Sequence, residues 1–102
     1  MANVKIKFSV APKTHCDNLY IVGSNSSLGN WNIKKATKLT FSEESNAFVC
    51  CKMLPVGETV EFKFVSAKDW TAVEKGIFNE DIANRQVVPA KGMKLDLTIE
   101  NI

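Results

Sequence analysis

Val4-Lys5-Ile6-Lys7-Phe8-Ser9-Val10 decides the fold: four apolar residues stand at every second position, with polar residues between them. A period of two puts all four apolar side chains on one face of an extended strand. The pattern returns along the chain. Val60, Phe62 and Phe64 alternate with Glu61 and Lys63, Leu19 and Ile21 with Tyr20 and Val22, and Leu95, Leu97 and Ile99 with Lys94, Asp96 and Thr98. Phe48 to Leu54 and Gln86-Val87-Val88 add strand candidates, and Ala36 to Phe41 a short one. Turn formers separate these runs: Pro12, Gly23-Ser24-Asn25, Gly29-Asn30, Pro55-Val56-Gly57-Glu58 and Pro89-Ala90-Lys91-Gly92. The longest helix-compatible stretch, Thr71 to Ala83, is interrupted by Gly76 and spaces its apolar residues poorly. A strand with one apolar face needs a second sheet to cover it. The expected class is therefore all-β, a β-sandwich of seven or eight strands with Greek-key connections and under about a tenth helix.

Composition sets the bounds. A chain of 102 residues is expected to form a single domain, 1–102, with one core and no need of staples. Its formal net charge of +2, without runs of like charge, points to neither nucleic acid nor an anionic membrane. No apolar stretch approaches the roughly 20 residues of a membrane-spanning helix. The start, Met1-Ala2-Asn3-Val4-Lys5, alternates at once and lacks the apolar segment of a signal peptide. Cysteines number three, an odd count, and Cys50 and Cys51 are adjacent, so on a strand they face opposite ways. All three are expected as free thiols in a reducing, cytoplasmic setting.

The functional signal is Leu28-Gly29-Asn30-Trp31. It places a rigid indole just past a glycine turn, where it is either a core plug or a platform for a flat ligand. The order of signals around it resembles the starch-binding domain, carbohydrate-binding module family 20. The matching residues are Val4-Lys5-Ile6-Lys7-Phe8-Ser9-Val10, Asn18-Leu19-Tyr20-Ile21-Val22-Gly23-Ser24, Leu28-Gly29-Asn30-Trp31-Asn32 with Lys35-Ala36-Thr37-Lys38-Leu39, Leu54 through Val65, and Asn84-Arg85-Gln86-Val87-Val88-Pro89. Each piece alone is weak; five in the right order over nearly the whole chain are strong.

The resemblance implies an immunoglobulin-like antiparallel sandwich that binds α-1,4-glucans: starch, glycogen or maltooligosaccharides. It implies a first sugar site at Trp31, Lys63 and Asn84. A second tryptophan followed by a glutamate completes that site in the family. This chain instead reads Asp69-Trp70-Thr71-Ala72-Val73-Glu74-Lys75-Gly76, with Val73 or Lys75 at the aromatic position and a longer segment, Ile77 to Ala83, after it. A second family site is expected at Tyr20, with Phe41 the nearest candidate for its partner aromatic.

The residue types suit the ligand class. A pyranose ring offers a face of polarised C–H groups to an aromatic ring and a rim of hydroxyls to Lys, Asn or Glu. A tight hairpin around Ala67-Lys68 would oppose Trp70 to Val65, Ala72 to Lys63 and Glu74 to Glu61. Trp70, Lys63 and Glu74 then share the face opposite the Val60/Phe62/Phe64 stripe, which adds Trp70 and Glu74 to the expected site. Asn30 is expected as the turn former beside Trp31.

Catalytic readings fail on chemistry. His15, the single histidine, adjoins Cys16, but neighbouring loop residues rarely give nucleophile–base geometry. His15, Cys16 and Asp17 lack the paired spacing of a zinc site. Glu43-Glu44 and Glu80-Asp81 fall in expected loops without an acid–base environment. No catalytic residue, metal or cofactor is expected. The leading expectation is a non-catalytic α-glucan-binding module that places a partner enzyme of glucan metabolism on its polymer. The rival is an interaction domain of the same fold that has lost sugar binding, as the missing Trp-Glu pair would allow. A third reading sets the domain within a glucan phosphatase, dikinase or glucanotransferase.

Overall fold

Among the described residues eight strands form, in the order β1 (Asn3–Pro12), β2 (Tyr20–Gly23), β3 (Thr37–Lys38), β4 (Thr40–Ser42), β5 (Ala47–Pro55), β6 (Val60–Val65), β7 (Arg85–Val87) and β8 (Lys94–Ile99). The computed structural model describes residues 2–14 and 16–102; both roles weighed for His15 therefore lie outside the described residues. One sheet has the order β4-β5-β1-β8, the other β3-β2-β6-β7. The helical elements among the described residues are three single 3-10 turns, Ser26–Leu28, Ile33–Lys35 and Trp70–Ala72. The alternating stripes meet between the sheets: Ile6, Phe8 and Val10 of β1 join Ile21, Phe62 and Phe64 in the buried cluster. Phe8 sets its ring edge-on to Phe62 with centroids 5.4 Å apart. Truncating such a phenylalanine to alanine costs about 3–5 kcal/mol.

Two details depart from the sequence reading. The short strand expected over Ala36 to Phe41 is cut at Leu39. β3 pairs with β2, β4 pairs with β5, and the chain changes sheets between them. Buried Leu39 marks the crossing, its N–H donated to the Leu19 carbonyl at 2.8 Å. The sandwich is antiparallel except for β1 and β8, which run parallel from Lys7↔Lys94 to Pro12↔Ile99. Alternation fixes which face is buried and says nothing of strand direction. Thr71 to Ala83 forms no helix, in line with its interruption by Gly76: it holds the end of one 3-10 turn, bridges at Val73 and Lys75, and loop.

The outer face of the β3-β2-β6-β7 sheet carries Tyr20, Val22, Glu61, Lys63 and Val65, by their alternation with the core residues. Val22 and Val65 are fully buried without belonging to the core cluster. The connections that leave β2 and β6 carry the two tryptophans.

In the other sheet, Cys50 packs against the core and Cys51 is exposed; with Cys16 they are free thiols. Burial pushes the Cys50 thiol up to about 11, helped by Cys51 and opposed by Lys52.

Candidate functional site

Trp31 closes the turn after β2. Gly23 ends that strand packed against the Glu61 carbonyl and the Leu28 side chain, where a Cβ has no room. Asn25 caps the turn Ser26–Leu28, its side chain accepting from the Ser27 N–H at 2.9 Å. Gly29, Asn30 and Trp31 then follow with φ of 86°, 51° and 63°. Left-handed backbone at a bulky tryptophan costs roughly 1–2 kcal/mol. Backbone hydrogen bonds enforce it: Asn30 N–H to Asn25 O at 3.1 Å, Trp31 N–H to Gly23 O at 2.8 Å and Asn32 N–H to Gly29 O at 2.9 Å. Leu28 is buried beneath as the anchor. Asn30 thus builds the turn, and the half-buried Trp31 lies outside the core cluster. Strain held in this way concentrates at binding sites.

Trp70 arrives from the other connection. Asp69 caps the turn Trp70–Ala72, its Oδ1 accepting from the Thr71 N–H and hydroxyl, both at 2.9 Å. Those two bonds hold the Asp69 carboxyl below its ordinary 3.8. The Trp70 side of the pair is open, with 41% of the residue exposed. The two indoles meet with ring centroids 6.2 Å apart and planes at 42°.

The hairpin register is not the expected one. Val73, rather than Trp70, bridges Val65, and the Glu74 N–H bonds to the Phe64 carbonyl at 2.9 Å. The connection is three residues longer than a tight hairpin around Ala67-Lys68, and an odd shift exchanges the faces. Trp70 stays outside the paired segment and remains exposed. Glu74 turns inward, and its expected place among the outward sugar contacts is corrected accordingly. It is 1% exposed and saturated. Its Oε2 accepts the Phe64 N–H at 2.8 Å, and Arg85 Nη2 lies 2.7 Å from its Oε1. Arg85 also donates to the Thr98 carbonyl at 2.7 Å and lies over the Phe64 ring. Of the two positions open for the missing tryptophan, Val73 lies on the ladder and Lys75 bridges Asn101, so neither offers an aromatic face.

Lys63 projects from the outer face of β6 opposite Val22, next to the strand end that receives Trp31. Its ammonium donates to the Ile82 carbonyl at 2.6 Å, which leaves two of its three donors for a ligand. Asn84 is exposed and immediately precedes β7, whose pairing with β6 begins at Phe62↔Arg85, one residue along β6 from Lys63. Tyr20 is half-buried on the same outer face, paired with Lys38 and Val65, with the Lys68 ammonium 6.0 Å from its ring centroid. Phe41 lies elsewhere: it belongs to the other sheet and packs edge-on against Phe48, beside a hollow of about 240 Å³. The structure thus sets Tyr20 on the face that carries Lys63 and does not pair it with Phe41.

Among the described residues, no group of three or more His, Cys, Asp or Glu could hold a metal ion. No helix there is long and apolar enough to cross a membrane.

The starch binding domain family model matches residues 3–97. The chain belongs to that family. Glucoamylase P of Amorphotheca resinae is 28% identical over 93 residues, which are 87% of this chain and 15% of that protein. The glucoamylase structure from Hormoconis resinae superposes with a TM-score of 0.74 at 26% identity, covering 99% of this chain and 18% of its own. The family 20 module of the maltotetraose-forming amylase from Pseudomonas saccharophila STB07 superposes with a TM-score of 0.67 at 27% identity, covering 93% of this chain and 99% of its own. The chain therefore spans under a fifth of the glucoamylases it matches and nearly all of the amylase's starch-binding module. A starch-binding domain binds starch-type α-glucans and does no chemistry on them. The departure from the family at Val73 leaves the starch-binding domain with two indoles all the same, because Trp70 is three residues upstream.

Proposed function

We propose that Trp31 and Trp70 form the platform on which this starch-binding domain holds its glucan, with Lys63 and Asn84 at the rim and Tyr20 further along the same face. The observation that carries this reading is the pair of part-exposed indoles 6.2 Å apart and inclined at 42°. Two inclined faces fit successive sugars of a curved α-1,4 chain better than one flat face does. Each contributes apolar contact and a quadrupole for the pyranose C–H groups. The free donors of Lys63 and the Asn84 amide suit the ring hydroxyls.

Glycogen and maltooligosaccharides fit the same platform, since they present the same linkage. A shallow platform gives weak binding of a short oligosaccharide, from about millimolar to tens of micromolar. A polymer that reaches Tyr20 as well gains by effective concentration. The module would bring a catalytic domain or partner enzyme of glucan metabolism to its polymer. The unbridged Cys16, Cys50 and Cys51 support a cytoplasmic setting.

Titrating maltoheptaose into Trp31→Ala tests the reading. Loss of most binding at an unchanged melting temperature is expected, and wild-type affinity would reject the platform. The neutral ligand should also make binding nearly independent of salt. A steep loss between low and moderate salt would contradict it.

A further inference from the structure

We propose that Phe78, at the tip of the loop 76–82, is a third aromatic contact for glucans longer than the Trp31–Trp70 platform. Phe78 is 87% exposed and Ile77 65%, above every other large hydrophobic side chain among the described residues. Folding gains nothing from a phenylalanine held in water, yet the loop is built to hold it there. The Gly76 N–H bonds to the Glu80 carbonyl and the Asn79 N–H to the Gly76 carbonyl, both at 2.9 Å. The Phe78 N–H is taken by the Glu80 carboxylate at 2.9 Å. Lys75 pairs with Asp81, and the Asn101 amide holds the Gly76 carbonyl at 3.1 Å. These bonds use the polar groups at the base of the turn and leave the two apolar side chains outside it.

The loop is continuous with the site. It leaves the ladder just after Val73 and Glu74, and it returns through Ile82, whose carbonyl is held by Lys63, to Asn84. Four residues reach at most about 14 Å, so Phe78 stands within that distance of Ile82 on a molecule 38 Å long. A chain leaving the platform past Lys63 therefore meets the tip within a few sugars. The size of the tip also selects its occupant. A stable protein partner needs roughly 800 Å² from each side, far more than one phenylalanine and one isoleucine provide. One aromatic face flanked by Asn79, Glu80 and Asp81 matches one sugar ring and its hydroxyls.

The inference rests on the platform reading, so its test separates the two. Maltotriose and maltoheptaose are titrated calorimetrically into wild type, Phe78→Ala, Phe78→Tyr and Trp31→Ala. Phe78→Ala should weaken maltoheptaose by about three- to tenfold and leave maltotriose unchanged, while Phe78→Tyr keeps wild-type affinity. The melting temperature should not move, since the side chain is in water. Wild-type affinity of Phe78→Ala for maltoheptaose, or equal loss on both sugars, overturns the third contact while a weakened Trp31→Ala preserves the platform. Wild-type binding by Trp31→Ala overturns both. A fall in sedimentation coefficient in Phe78→Ala with glucan binding intact overturns the proposal in favour of self-association through the tip.

Discussion

Trp31 sits in a left-handed turn that neighbouring backbone groups enforce, whereas Trp70 sits on a single capped turn whose connection is tied down by a buried ion pair four residues on. The first arm is local: Gly23, Asn25, Leu28 and Gly29 all lie within eight residues of the indole they place. The second depends on contacts distant in sequence, since Glu74 reaches Arg85 and the backbone of Phe64. A local device can be kept only whole. A connection anchored by one buried pair can change its length and its aromatic residue while the anchor stays. The first arm carries the Leu-Gly-Asn-Trp motif, and the second carries Trp70 and the loop 76–82.

Breaking the anchor should have the largest effect. Glu74→Ala leaves Arg85, which is only partly exposed, without its carboxylate and the Phe64 N–H without its acceptor. A loss of about 3–5 kcal/mol is expected. The melting temperature should fall by more than about 10 °C in a thermal scan. A change of under a degree or two would mean that the pair anchors nothing.

The strain in the first arm sets the next test. Glycine suits left-handed backbone, so Trp31→Gly should be more stable than Trp31→Ala by about 1 kcal/mol in urea denaturation. In the 3-10 turn the order should reverse, with Trp70→Gly no more stable than Trp70→Ala. The same order at both positions would erase the contrast.

The smallest effect belongs to the cap. Asp69 is held below its ordinary 3.8 by its bonds to Thr71, so it is more acidic folded than unfolded. Its contribution is complete above 3.8 and is lost as the pH falls through the depressed folded value. Glucan binding should be level from about pH 5 to 8, and below 4 the Trp70 arm should loosen first. Asp69→Asn, which keeps an acceptor, should remove the acid sensitivity. An acid limb that persists in this variant would move the origin elsewhere.

Much of this was legible in the chain. Alternation at Val4 to Val10 and Val60 to Phe64 specified the sandwich and its core stripes, because a period of two admits one buried face. The order of five motifs specified the family. The direction of β8 and the break at Leu39 were not legible, since both depend on which distant strand a residue meets. Glu74 was misplaced for a sharper reason: face assignment across a hairpin depends on loop parity, and composition cannot count the residues of a 3-10 turn in advance. The signal that could have corrected it was the Glu74 and Arg85 pair, two opposite charges flanking a loop, one preceded by Val73 on a strand-like run. The left-handed backbone at Trp31 left no trace beyond Gly29-Asn30.

The central claim is that two indoles, from two differently built arms, hold one glucan. It is tested most directly by titrating maltoheptaose into wild type, Trp31→Ala, Trp70→Ala and the double variant. Each single variant should lose about tenfold or more in affinity, roughly 1.4 kcal/mol, with its melting temperature kept. The two losses should not add, because sugars bridging both rings couple them. Wild-type affinity in Trp70→Ala, or fully additive losses, would contradict a shared platform.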